Sequence, residues 1–476
     1  MSKYKRLGKN TAYVAIGNIG SKVISFLMLP LYTRWMNPEE FGTSDVVTVY
    51  ASLLMSFVSL CIADAIFVLP KRATEEEKKS YFSSGIVYTI GALVLSAGVI
   101  LIAQRLCASR GISNSFVDNL WLIYLMMAAQ YVQAFIQNFV QAIDKMLVYG
   151  LTGVVSTACM AAFAFVFIPG HGAFGYVLSV ALAQICAAVF TCFVSKSYKY
   201  LSLGYVDKAK LEDLLKYGIP LIPNSIMWWL VNGMNRPLIV EYIGMDANGL
   251  LAVANKLPNV ISMMFVVFSH AFSVSLLEEY GKEGFVRFFD NSLKLIMIPT
   301  IFAASLLAIC SQPVIQLFTT PEYYMAYKFM PLCILGVLLQ SISGFIGGVF
   351  AARKESKYFF YSSSWGAIAS LVSMFALIPI LKIYGAVLSV ILSFFVMAVA
   401  RLLYARKDLE GLDIKYFALL LLMYTCIAVL VIIDISPFWK VLLYIGVMTV
   451  MLLASRPYLS QGVSLVTQIV KEKIKK

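Results

Sequence analysis

Apolar residues recur along this chain in runs of about 20, the length at which a helix crosses the hydrocarbon core of a bilayer. The runs centre on residues 11–33, 41–69, 81–104, 119–142, 147–168, 175–195, 217–243, 249–277, 293–312, 328–350, 359–380, 385–405, 416–434 and 439–455. Only short polar connections separate them. In lipid, backbone polar groups are satisfied inside helices or closed barrels. The pattern therefore predicts an all-α polytopic membrane protein of about fourteen transmembrane helices. An even number places both termini on one side.

One stretch, Tyr217 to Asn259, breaks the apolar pattern with Arg236, Lys256, four prolines and several asparagines. A charge at the bilayer centre costs roughly 2.5–3.5 kcal/mol on the insertion scale, so something polar must lie beside it. The polar residues are spaced for single helix faces. The seventh run carries Asn224, Trp228, Asn232 and Asn235/Arg236, and the eighth Asn255/Lys256, Asn259, Ser262 and Ser269/His270. The first has Asn18, Ser21, Lys22 and Ser25; the second has Asp45, Thr48, Ser52, Ser56, Ser59 and Asp64. The fourth carries a glutamine stripe, Gln130, Gln133, Gln137 and Gln141. Such stripes predict a hydrated cavity. The competing reading is helix–helix packing for the amides and hydroxyls, and an internal salt bridge for the cations, with Asp45, Asp64 or Glu241 as partner. Pro30, Pro220, Pro223, Pro237 and Pro258 free backbone carbonyls at the ends of these helices and permit bending.

Composition agrees with a membrane chain: 60% hydrophobic and 13% charged. The net charge of +13 is largely topogenic. About 29 of the 38 Lys and Arg fall on the side of the termini, which predicts cytoplasmic termini. Lys3 to Lys9 precede the first helix rather than a cleaved signal. The eight cysteines are scattered without CxxC or metal-ligand spacing, so no metal or cofactor is expected. The loops are too short for a catalytic domain. From Leu459 the tail spaces Val463, Val466, Val470 and Ile474 along one face beside lysines, which suits the inner membrane surface.

The two halves repeat. Pro30 precedes Gly42 by twelve residues, as Pro237 precedes Gly249, at an offset of 207. Ile168-Pro169 leads to Gly175-Tyr-Val-Leu-Ser-Val, and Ile378-Pro379 to Gly385-Ala-Val-Leu-Ser-Val, at an offset of 210. Two six-helix copies of like orientation are expected, related by a pseudo-two-fold axis along the membrane normal with a binding site between them. Residues 1–205 and 206–410 would form the two bundles, 411–458 two extra helices, and 459–476 a cytoplasmic amphipathic tail.

Lys9 to Tyr50, with Pro-Leu-Tyr-Thr-Arg at 30–34 and Pro-Glu-Glu-Phe-Gly at 38–42, and then Asp64-Ala-Ile-Phe67, resembles the start of bacterial polysaccharide-biosynthesis flippases of the Wzx type. That family shares a superfamily of multidrug, oligosaccharidyl-lipid and polysaccharide exporters with the MATE proteins and the lipid II flippase. The resemblance implies two six-helix bundles around a central, often cationic cavity. It implies translocation of an undecaprenyl-diphosphate-linked oligosaccharide, for capsule, O-antigen or exopolysaccharide, across the bacterial cytoplasmic membrane. Coupling to a Na+ or H+ gradient is implied too, and no GxxxxGK[ST] loop indicates ATP. Fourteen helices exceed the twelve of many members and match the lipid II flippase, whose extra pair helps form a groove for the lipid tail. Many relatives place arginine directly after Ala-Ile-Phe; here Val68-Leu69-Pro70 intervenes before Lys71-Arg72.

Cations at mid-depth suit a diphosphate, so Lys22, Arg236 and Lys256 are the expected diphosphate ligands. Asn224, Trp228, Asn232 and Gln130, Gln133, Gln137 and Gln141 are expected to meet the glycan. Asp45 and Asp64 are expected to couple ions or balance charge. Expected partners are the lipid-linked oligosaccharide and a polysaccharide polymerase complex, with no nucleic acid. Rival readings are a lipid II or teichoic-type flippase, a MATE-like drug/cation antiporter, and a membrane glycan polymerase. The small outer loops disfavour the polymerase, and the mid-membrane cations disfavour the antiporter.

Overall fold

The computed structural model describes residues 20–21, 24–111, 115–353, 355–433 and 436–474. Lys22 and Asn18 lie outside them. The described residues are helical with short connections and no strand. Ten of their helices are long and apolar enough to cross a membrane. One of these, Met146–Ser195, holds two expected spans joined at a kink, where Gly172 takes φ 49° and ψ −125°.

Contacts gather the chain into two units, Met1–Ala252 and Val253–Lys476. The first contains α1 (Leu29–Trp35), α2 (Pro38–Val58), α3 (Ile62–Val68), α4 (Glu75–Ser109), α5 (Leu120–Ala142), α6 (Met146–Ser195), α7 (Lys208–Gly218), α8 (Ile222–Asn232) and α9 (Asn235–Tyr242). The boundary falls within α10 (Met245–Lys256).

The Asn-Pro-Glu-Glu turn has a local cause. The Asn37 side chain accepts from the Glu40 N–H, and the Glu40 carboxylate accepts from the Asn37 N–H. Pro38 occupies the first helical turn, where its missing N–H costs nothing. Thr74 and Glu77 open α4 with the same reciprocal cap. Helix α2 packs on α5 and α6, and on α8 and α9 as well. Val47 and Ala51 are fully buried with Ile123, Met126 and Met127 of α5.

Three of the expected spans that carry polar stripes do not form one long helix. Span 7 breaks into the end of α7, a 3-10 turn at Ile219–Leu221, α8 and α9. Span 8 breaks at Leu257, where Pro258 starts a new helix. Span 2 breaks without proline or glycine. Leu60 and Cys61 take left-handed φ of 47° and 54°, a conformation costing about 1–2 kcal/mol per residue. The break nests against α7, where a Cβ on Gly218 would run into the Leu60 carbonyl.

Helix α7 is fastened to the start of α4. Lys210 pairs with Glu77 at 2.8 Å, and Tyr81 donates to Asp213 at 3.2 Å. The Glu77 carboxylate holds the Lys210 ammonium above its ordinary range.

The repeat is visible in the backbone. Lys382, 210 residues beyond Gly172, takes nearly the same φ 54° and ψ −129°. Ser179 donates to the Gly175 carbonyl at 2.6 Å, and Ser389 to that of Gly385 at 2.7 Å. At the other offset the copies meet reciprocally. A Cβ on Gly42 would run into the Met245 carbonyl, and one on Gly249 into the Pro38 carbonyl. Pro38 and Met245 are themselves 207 apart, so α2 and α10 cross as equivalents, in the manner of a two-fold contact.

The second unit contains α11 (Pro258–Glu279), α12 (Phe285–Ile309), α13 (Ser311–Phe318), α14 (Met330–Arg353), α15 (Ser356–Leu381), α16 (Ile383–Tyr404), α17 (Ile414–Ile432) and α18 (Pro437–Ile474). Its central helix is α14, 78% buried over its most apolar window, against 11% for α18. Phe438, Trp439, Ile445 and Leu453 of α18 are exposed, as lipid-facing residues should be. The C-terminal pair is fastened by Lys294, which bonds Asp290 at 2.7 Å and Asp413 at 3.1 Å. The same ammonium lies 4.2 Å from the Tyr458 ring centroid.

Arg401, one of the 29 cations counted from sequence on the side of the termini, is 1% exposed. It donates to the Ser343 carbonyl at 2.7 Å and to Ser362 Oγ at 3.2 Å, and lies over the Phe359 ring at 4.3 Å. Among the described residues it has no carboxylate partner. Its repeat counterpart, Thr191, bonds the counterpart of Ser362, Thr152, at 2.6 Å. Arg401→Ala is expected to cost about 2–4 kcal/mol through lost bonds and a cavity. Arg401→Met should cost much less, because an apolar side chain of similar length carries no desolvation penalty. Thermal midpoints of the two purified variants check this ordering.

Candidate substrate-binding groove

Helix α8 places Asn224, Trp228 and Asn232 on one face at four-residue spacing, and α2 places Ser52 and Ser56 opposite. Together with Val49 they line a cavity of about 400 Å³. Trp229 sets the distance between the two helices: its indole N–H donates to the Val49 carbonyl at 3.0 Å. A second cavity of about 440 Å³ shares Asn224 and Ser225 with the first. It is lined further by Asp64, Phe67, Asn138 and Tyr217. Asn138 is held by donating to the Ala63 carbonyl at 2.6 Å. The two cavities adjoin at Asn224 and Ser225, and together they make a groove along α2, α3 and α8.

Beyond Asn232 lies a charged network. Arg236 Nε donates to Asp45 Oδ2 at 3.1 Å. Its Nη1 donates to the Asn232 carbonyl and to Asn235 Oδ1, each at 2.6 Å. Asn248, fully buried, donates to the Gly42 carbonyl at 3.0 Å and lies 3.4 Å from Asp45 Oδ2. The salt bridge weighed from sequence for Arg236 therefore exists, with Asp45 as partner.

Of the expected site residues, Asn224, Trp228 and Asn232 converge in the groove, Asp64 lines its second part, and Arg236 with Asp45 borders it. The glutamines do not join them. Gln137 donates to the Tyr149 carbonyl at 3.2 Å, an α5–α6 packing contact. Gln130, Gln133 and Gln141 are half-buried on α5 and line neither cavity. Lys256 ends α10 in the other contact unit. Lys22 lies outside the described residues.

Sequence reasoning missed Asn138, Ser225, Trp229 and Asn248. Asn248 left a signal: 207 residues earlier its counterpart is Phe41, so a polar side chain stands where the first copy buries an aromatic one. Among the described residues no three His, Cys, Asp or Glu gather as a metal site.

The groove offers amide, hydroxyl and indole groups beside one guanidinium. That set can hydrogen-bond hydroxyl groups, stack on a flat apolar face and pair with an anion.

A sequence model described as polysaccharide biosynthesis protein matches residues 7–276. The chain is 21% identical over 404 residues to the capsular polysaccharide biosynthesis protein CapF of Staphylococcus aureus, covering 82% of this chain and 97% of that protein. Its fold is similar to that of the lipid II flippase MurJ in an inward closed conformation, with TM-score 0.70, 14% identity, and coverage of 94% of this chain and 99% of that one. It is similar also to an outward-facing MATE family transporter of the MOP superfamily, with TM-score 0.56, 13% identity, and coverage of 86% and 96%.

Proposed function

We infer function from one premise: this chain belongs to the polysaccharide biosynthesis protein family. It is a multi-pass membrane protein with the fold of the MOP superfamily transporters. On that basis we propose that it is a flippase rather than an enzyme. Its cargo is an undecaprenyl-diphosphate-linked oligosaccharide, carried across the bacterial cytoplasmic membrane for capsule, O-antigen or exopolysaccharide synthesis.

The observation that carries the reading is the groove itself, polar walls on broken helices inside an apolar chain. Sugar hydroxyls exchange their water for Asn224, Asn232, Ser52 and Ser56, and a sugar face stacks on Trp228. Arg236 attracts the diphosphate, with Lys22 and Lys256 as further cations. The undecaprenyl chain needs no enclosed site, since it stays in the bilayer. The breaks in spans 2, 7 and 8 supply hinges for alternating access, coupled to a sodium or proton gradient with Asp64 as a candidate carboxylate. Both termini are cytoplasmic in this reading, and a polymerase complex receives the product.

Deleting the gene tests this. A complete lipid-linked repeat unit should accumulate on the cytoplasmic leaflet, assayed in inverted and right-side-out vesicles, with loss of surface polymer. Complete units reaching the outer leaflet unpolymerised would instead indicate a polymerase. Altered dye resistance with unchanged lipid intermediates would indicate a drug exporter.

A further inference from the structure

We propose that Asp45 and the anionic head of the substrate compete for Arg236, so that substrate binding releases a latch between the leading helices of the two repeat copies. This rests on the reading of the cargo as a diphosphate-linked lipid.

The latch joins residues far apart in sequence. Asp45 belongs to α2 of the first copy; Arg236 and Asn248 belong to α9 and α10 of the second. Arg236 and Asp45 are 191 residues apart, and Asn248 and Asp45 are 203 apart. The network sits beside the reciprocal crossing of Gly42 and Gly249, so it holds together the two helices that cross there. For α9 to part from α2, the Arg236–Asp45 bond must open.

Three features make Arg236 available for exchange. It borders the groove, since its Nη1 bonds the carbonyl of Asn232, a lining residue. It reaches Asp45 through Nε alone, at 3.1 Å, and not through the paired fork that makes arginine–carboxylate contacts strong. Its Nη2 makes no hydrogen bond among the described residues. A diphosphate offers more acceptor oxygens and more negative charge than one carboxylate, and the planar guanidinium suits it. Asp45 is not stranded by the exchange, because Asn248 remains within 3.4 Å and the carboxylate is 22% exposed.

Competition has a thermodynamic signature: removing the internal competitor strengthens external binding. The test is calorimetric titration of the purified full-length protein with undecaprenyl diphosphate. Asp45→Asn and Asp45→Ser should each bind about fivefold more tightly than wild type, the scale of a partly exposed ion pair. Arg236→Gln should lose most of the binding. Using two Asp45 variants, each verified as monodisperse, separates the effect from misfolding of either one.

Equal or weaker binding by both Asp45 variants, with wild-type binding intact, would overturn the latch and make Asp45 a residue that merely positions Arg236. The flippase reading would survive that result. Absence of binding by the wild type itself would overturn both, since Arg236 would then have no diphosphate to exchange for Asp45.

Discussion

Replacing Gly249 with leucine is expected to leave little folded protein in the membrane, and Gly42→Leu should do the same. A side chain on Gly249 would meet the backbone of Pro38, and one on Gly42 the backbone of Met245. No flexible side chain can swing aside to relieve either contact. Helix α2 cannot retreat as a body, because Val47 and Ala51 are buried against α5. Over-packing in a close-packed interior costs about 1–3 kcal/mol, and a backbone obstacle places these variants at or above the upper end. Separation of the helices would also strain the Asn248 bond to the Gly42 carbonyl. Gly91→Leu and Gly98→Leu on α4 are the controls, since nothing lies within 4 Å of a Cβ at either. Yield and monodispersity on gel filtration measure the contrast. Equal behaviour of Gly249→Leu and Gly98→Leu would refute the close crossing.

Arg236→Ala is expected to reduce glycan export at least tenfold while sparing the folded protein. The two consequences separate because the pair is small as a stabilising contact and, in the proposed function, central as a binding group. At 13% and 22% exposure, its loss should cost on the order of 1 kcal/mol. Asn248 keeps a donor near Asp45. The diphosphate would lose its guanidinium outright, and a charge-assisted contact of about 1.5–3 kcal/mol corresponds to one or two powers of ten. Arg236→Lys should restore export in part, since it returns the charge without the planar fork. Surface polymer normalised to membrane-inserted protein is the readout. Normal export by inserted Arg236→Ala would remove the diphosphate role.

The spans and the groove were legible to different degrees, for physical reasons. Apolar runs mark membrane crossings directly, because lipid enforces helices. Proline announced the breaks at Ile219–Leu221 and Leu257. The break at Leu60–Cys61 had no local announcement; it is seated against Gly218, more than 150 residues away. Helical spacing revealed the faces of α2 and α8 and they do meet, whereas the glutamine face of α5 lines neither of the two cavities they border. Periodicity identifies a face and says nothing of its neighbour, which for Gln137 is α6. Arg401 shows the same limit: a cation near the end of an apolar run reads as a loop residue, whereas serine partners and an aromatic ring draw it inside.

The measurement closest to the central claim is leaflet exchange in liposomes containing only the purified protein. A fluorescent undecaprenyl-diphosphate-linked oligosaccharide is loaded symmetrically, a sodium or proton gradient is imposed, and an impermeant quencher reports the outer leaflet. The account predicts that the quenched fraction changes beyond that of protein-free liposomes, and that Arg236→Ala liposomes match the protein-free ones. A wild-type protein that leaves the lipid where it started under either gradient would contradict the account.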